Sequence, residues 1–118
     1  MNGQDRGFWG GMEQLLKTNK IVFDRPKGTH HPRHPEMIYP LDYGYVENTV
    51  ASDGGGIDVW YGSLGTKTLT GILCTFDTIK RDAEIKLLIG CSMEDVRCIQ
   101  DFHGQMITLY IPNPEHSS

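Results

Sequence analysis

YPLDYGYVENTVASDGGGIDVW, residues 39–60, is the stretch on which the reading of this 118-residue chain turns. It opens with an aromatic-rich turn from Tyr39 to Tyr45, and a polar–apolar run from Val46 to Ala51 then reads as one strand. An acidic loop, Asp53-Gly54-Gly55-Gly56-Ile57-Asp58, leads into a second strand over 57–61. Glycine lets the backbone fold so that the two flanking carboxylates face one point, which suits a hard, oxygen-seeking cation. Aspartate is also a common turn residue that hydrogen-bonds its own backbone, so each of these residues taken singly has a plainer explanation.

Working outward, Phe8, Met12, Leu15 and Leu16 recur at helical spacing and predict a short helix over 8–18. Residues 20–23 read as a strand. The segment that follows, DRPKGTHHPRHP (24–35), holds three prolines and six basic or imidazole side chains in twelve residues. Proline removes backbone donors and fixes φ, so this segment is an ordered loop or extended arm rather than a central strand. Downstream, 69–76 and 83–89 read as strands around a turn bounded by Asp77 and Asp82. Ser92 followed by Asp95 marks a helix start for 93–102, and Gln105–Ile111 is the last strand. Five or six short strands with glycine turns and two short helices predict a mainly β (α+β) domain over 1–118, a small twisted antiparallel barrel.

The formal net charge of -4 gives no whole-molecule field for nucleic acid, so none is expected as a partner. No apolar run approaches membrane-spanning length and no secretory signal pattern opens the chain, so no membrane association is expected. Cys74, Cys91 and Cys98 are odd in number and lack metal-binding spacing, which reads as free thiols in a reducing cytoplasm. Cys91 precedes a helix start, where a lowered thiol pKa is one reading and a buried structural thiol the other. His103 reads as a helix C-terminal residue interacting with the dipole.

Four aspartates follow strand ends: Asp53, Asp58, Asp77 and Asp82. Four carboxylates gathered at one mouth need raised pKa values or a compensating cation, and oxygen-only ligation points to Mg²⁺. At this point the motifs resemble a known family. Tyr39-Pro40-x-Asp42-Tyr43-Gly44-Tyr45, then Asn48-Thr49, then Asp53-Gly54-x-x-Ile57-Asp58, then Asp77 with Asp82-Ala83, is similar to the soluble (family I) inorganic pyrophosphatases over about half the chain. The resemblance implies a five-stranded OB-like barrel with flanking helices and Mg²⁺-dependent hydrolysis of pyrophosphate, or of a related small phosphoanhydride. It implies two or more Mg²⁺ ions, replaceable by Mn²⁺, and a homo-oligomer. It assigns Asp53, Asp58 and Asp82 to the tightest metal, Asp77 with Asp82 to metals brought with substrate, and Tyr43 to the edge of the metal site. Asp53, Asp58, Tyr43 and Asp82 are therefore the candidate catalytic residues.

The departures are as informative. Gly55 stands where the family carries the aspartate that activates the attacking water, and Gly56 where it has proline. Glu84 replaces a family lysine, and Lys86, on the same strand face by period two, is the candidate substitute. With the family's hairpin that bears a phosphate-binding arginine deleted between Arg33 and Tyr39, the candidate phosphate contacts are Asp24, Arg25, Lys27, Arg33 and Lys86. The chain reads as a shortened relative, and a non-catalytic metal- or phosphate-binding module on the same fold is the alternative.

Overall fold

The computed structural model describes residues 3–116, with side chains described from Arg6 onward. The order of elements is α1 (Gly3–Thr18), β1 (Ile21–Arg25), β2 (Asp42–Val46), β3 (Asp58–Tyr61), β4 (Leu69–Asp77), β5 (Asp82–Ile89), α2 (Met93–Phe102) and β6 (Ile107–Pro112). The strands form one open sheet in the order β1-β2-β3-β5-β4-β6. The mainly β architecture with two helices is as expected. Six strands lie within the expected five or six, and one detail differs: β3 runs parallel to β5 while every other pair among the described residues is antiparallel.

Each face of the sheet carries its own core, because successive strand side chains point to opposite sides. On one face, Trp9 and Leu16 of α1 pack on Val46, Val59, Ile72, Leu87 and Ile89, with Phe8, Met12 and Leu15 alongside. Those helix positions recur every three to four residues, so they form a single stripe. The helix begins at Gly3, five residues before the position expected from the apolar spacing. On the other face, α2 lays Val96 and Ile99 against Trp60, Leu73 and Leu88. The expected helix start is present as a full capping box between Ser92 and Asp95.

The decisive stretch folds differently from its expected turn-then-strand order. Residues 42–46 are the strand β2, with Tyr43 opposite Trp60 and Tyr45 opposite Asp58, while 47–51 turn. Asn48 adopts a positive φ of 61°, which asparagine tolerates and which ends the strand. Thr49 then staples the loop: its hydroxyl donates to the Val46 carbonyl (2.7 Å) and accepts from the Ile57 N–H (2.9 Å). β1 meets β2 through a bulge, since its register shifts between Val22 and Arg25. The chain crosses there close to Gly44, whose missing side chain is what leaves the room.

Candidate active-site cleft

The α2 face of the sheet opens into a cleft of about 600 Å³. Its floor comes from Tyr43 of β2, Asp58 of β3 and Lys86 of β5. One wall is Asp24 and Arg25 of β1 with the arm residues His31, Arg33, His34 and Met37, and the other is Phe102, His103, Gln105 and Met106. Asp77 and Lys80 stand at the lip.

Lys86 organises the floor. Strand alternation puts Glu84 and Lys86 on one face, and the parallel β3/β5 register, with Val59 beside Leu87, brings Asp58 next to them. The Lys86 ammonium lies 2.8 Å from the Tyr43 hydroxyl, 3.2 Å from Asp58 Oδ2 and 3.2 Å from Glu84 Oε2, and the residue is only 4 % exposed. Burial first, then the Asp58 charge, raises the Tyr43 pKa far above that of a free phenol, so its hydroxyl keeps its proton.

The arm is ordered by backbone pairing. Gly28 N–H donates to Tyr39 O, Tyr39 N–H to Thr29 O and His31 N–H to Met37 O, with a bridge between His30 and Ile38. The His31 ring lies parallel to that of Tyr39, and its Nδ1 accepts from the Arg33 and His34 N–H groups. The proton of the neutral ring therefore sits on Nε2. Burial and then the charges of His34, Arg25 and Arg33 lower its pKa.

The candidate residues divide. Asp24, Arg25, Arg33, Tyr43, Asp58, Asp77 and Lys86 line the cleft. Asp53, Asp82 and Lys27 do not. Asp53 is exposed, and its Oδ1 accepts from the Gly55 N–H (2.9 Å) in a local turn. Asp82 is paired across the β4/β5 hairpin with Asp77 but is exposed beyond the lip. Lys27 is tied back through its N–H to Asp42 Oδ1 (2.8 Å). Asp77 Oδ1 accepts from the Lys80 and Ile79 N–H groups, Lys80 giving the larger effect, and these hold its pKa below the usual carboxylate value. Of the three loop glycines, Gly54 has φ +88° and a Cβ on Gly56 would come within 2.7 Å of the Tyr45 ring. Gly55 has neither constraint, so its missing carboxylate is not imposed by the backbone.

The four aspartates do not form a closed Mg²⁺ cage among themselves. Octahedral ligands at 2.0–2.1 Å lie roughly 3 Å from one another. Among the described residues no three of the four aspartates bring oxygens within 4.8 Å; the one group that does so is Glu13, Glu115 and His116, outside the cleft. Asp58 is instead occupied by the Lys86 ammonium.

One residue has another role than its sequence suggests, and one was passed over. His103 is indeed the C-terminal cap of α2, but its ring is buried and its Nε2 accepts from Trp60 Nε1 (3.3 Å), so it serves the wall rather than the helix dipole. Lys80, a turn residue by composition, reaches the lip. Cys91 is no reactive thiol: burial, with Asp95 second, pushes its pKa up to about 12. A thiol-specific reagent at neutral pH is expected to label exposed Cys98 first and Cys91 only on unfolding. Native-state labelling at Cys91, located by peptide mapping, would contradict this.

No family model matches the sequence. The inorganic pyrophosphatases of Geobacillus stearothermophilus and of Bacillus sp. (strain PS3) are each 32 % identical to it over 99 residues, covering 70 % of this chain and 58 % of the relative. That of Halalkalibacterium halodurans is 41 % identical over 44 residues. The chain thus spans little more than half the length of the first two of these curated relatives and about a quarter of the third. Among solved structures, the inorganic phosphatase of Anaplasma phagocytophilum superposes with a TM-score of 0.53 at 14 % identity, over 80 % of this chain and 84 % of its own. That likeness concerns the fold.

Proposed function

We propose that this chain, a divergent member of the inorganic pyrophosphatase family, receives pyrophosphate or a related small phosphoanhydride in the cleft and hydrolyses it there. The observation that carries the reading is the convergence of Arg25, Arg33 and Lys80 around one cleft in a protein of net charge -4. Guanidinium forks match phosphate oxygens, and the His31 Nε2–H adds a neutral donor. Fixed donors of this kind stabilise charge that builds on the phosphoryl oxygens. The family reading brings Mg²⁺, in two or more ions with Mn²⁺ as substitute, as the cofactor to test. With no resident site formed by the four aspartates, an ion enters this reading only in the company of the substrate, and no step is assigned to it.

A second reading, binding without turnover, is favoured by how the carboxylates are engaged. Asp53 serves the Gly55 N–H, Asp77 two backbone N–H groups and Asp58 an ammonium, while position 55 carries no base. Phosphate release from pyrophosphate, tripolyphosphate and a nucleoside triphosphate, with Mg²⁺ or Mn²⁺, separates the readings. Release above the blank supports hydrolysis, and calorimetric binding without release supports the second. Removing Arg25 and Arg33 together is expected to weaken pyrophosphate binding about 10²–10⁴-fold, from about 1.5–3 kcal/mol per charged hydrogen bond. A double variant that binds as wild type does would remove the cleft from either reading.

The proposal includes a homo-oligomer in the cytoplasm. The oligomer is supported by an apolar face on β4, β5 and β6, where Phe76, Ile85, Ile107, Leu109 and Ile111 are 37–61 % exposed. No helix among the described residues is long and apolar enough to cross a membrane.

A further inference from the structure

We infer that the Lys86 ammonium occupies the seat of a divalent cation between Asp58 and Glu84, so that the cleft binds phosphate groups without a resident metal ion. That phosphate binds there rests on the function proposed above; that Lys86 fills a cation seat does not.

An ammonium has three N–H donors, and Lys86 directs them at three acceptors: Tyr43 Oη, Asp58 Oδ2 and Glu84 Oε2. Its coordination is complete within the protein. The Lys86 side chain is 5 % exposed and the two carboxylates 27 % and 26 %, so the cluster is set into the floor rather than lying on the surface. A divalent ion bound to both carboxylates would need the space the ammonium fills, and two cations cannot share it. Displacing the ammonium is unfavourable, because a buried charge stripped of its partners is strongly penalised. Mg²⁺ would also have to shed tightly held water.

The remaining carboxylates do not restore a metal site. Asp53 is turned away into its own loop, and Asp82 lies past the lip. One ammonium against two carboxylates leaves the cluster with one net negative charge, where a divalent ion would balance it. The Arg25, Arg33 and Lys80 charges on the wall and lip supply the positive potential that a bound anion needs.

The test titrates Mn²⁺ into the full chain by paramagnetic resonance, in a Glu13→Gln background that silences the Glu13–Glu115–His116 group. The parent chain is expected to bind no Mn²⁺ through Asp58 at millimolar ion. Lys86→Met frees the two carboxylates and should create one site at least 10-fold tighter, which is lost again in Lys86→Met/Asp58→Asn. Mn²⁺ binding by the parent that Asp58→Asn abolishes would overturn the inference, and that measurement stands whether or not the Lys86 variant folds. A second arm titrates sodium pyrophosphate in EDTA and in Mg²⁺. Affinities within about threefold of each other support the inference. Binding only with Mg²⁺ overturns it, leaving the cleft's role intact, where Asp58→Asn abolishes that binding, and supports an ion carried by the substrate where Asp58→Asn leaves it unchanged. Binding in neither condition overturns the proposed function, and the Mn²⁺ arm alone then decides the role of Lys86.

Discussion

Gly44→Ala is expected to cost about 3 kcal/mol or more, at or beyond the upper end of ordinary overpacking, and to disorder the β1 wall of the cleft. A Cβ at position 44 would lie 1.9 Å from the Val22 carbonyl oxygen, 2.8 Å from its carbon and 2.9 Å from the Phe23 Cα. All three obstacles are backbone, so no rotamer change relieves them. They belong to the bulged segment of β1, where the register shifts between Val22 and Arg25. Making room means moving the strand that carries Asp24 and Arg25 into the cleft. Urea denaturation should show a large fall in midpoint, and pyrophosphate affinity should fall with it under conditions where the variant remains folded. A variant that unfolds within about 0.5 kcal/mol of the parent would show that the bulge is soft, against the packing described here.

Acid sensitivity centred on His103 is the second large effect. Burial, with the Lys86 charge second, lowers the His103 pKa from 6.5 to about 3. Above pH 6.5 the ring is neutral in both folded and unfolded chains and contributes no pH dependence. Below it the unfolded chain takes up a proton that the native site refuses, so stability falls as pH drops from 6.5 toward about 3. At 1.36 kcal/mol per pH unit the loss by pH 4.5 is roughly 2–3 kcal/mol. His103→Gln keeps an acceptor for the Trp60 N–H and removes the titration. Its stability should be nearly flat between pH 6.5 and 4.5, apart from a smaller contribution of the same sign from His31. An unchanged slope in that variant would assign the acid sensitivity to other groups.

Much of the fold is local chemistry, and that part is legible in the sequence. The Ser92–Asp95 capping box gives α2 its start, and the apolar stripe of α1 gives that helix its face. Alternation along 83–89 shows which side of β5 Lys86 occupies. Local chemistry misleads where two signals compete. Pro40 and the aspartate and glycine of 40–44 look like a turn, yet Tyr43 and Tyr45 alternate as a strand does, and the pairing with β3 decides in favour of the strand. At 47–51 the asparagine that can reverse the chain outweighs the apolar run. The site is less legible because its contacts are distant in sequence. Asp58 and Lys86 meet through a parallel pair, which no turn residue announces. Trp60 and His103 meet across the space between sheet and α2. A flexible glycine loop also does not reveal which way Asp53 points. Motif spacing therefore identifies the residues of the cleft floor but not the cation that holds them together.

The arm from Pro26 to Tyr39 has one more consequence. Its three prolines restrict the unfolded chain, and its backbone hydrogen bonds to 37–39 fix the folded one. Ordering a backbone residue costs about 1–2 kcal/mol, and here that cost falls at folding. An anion entering the cleft would meet Arg33 on this preorganised strap, beside Arg25 of β1, and would have only side-chain rotamers left to fix, at about 0.5–1.5 kcal/mol each. A segment that belongs to no named helix or strand is therefore prepared for capture once the chain has folded.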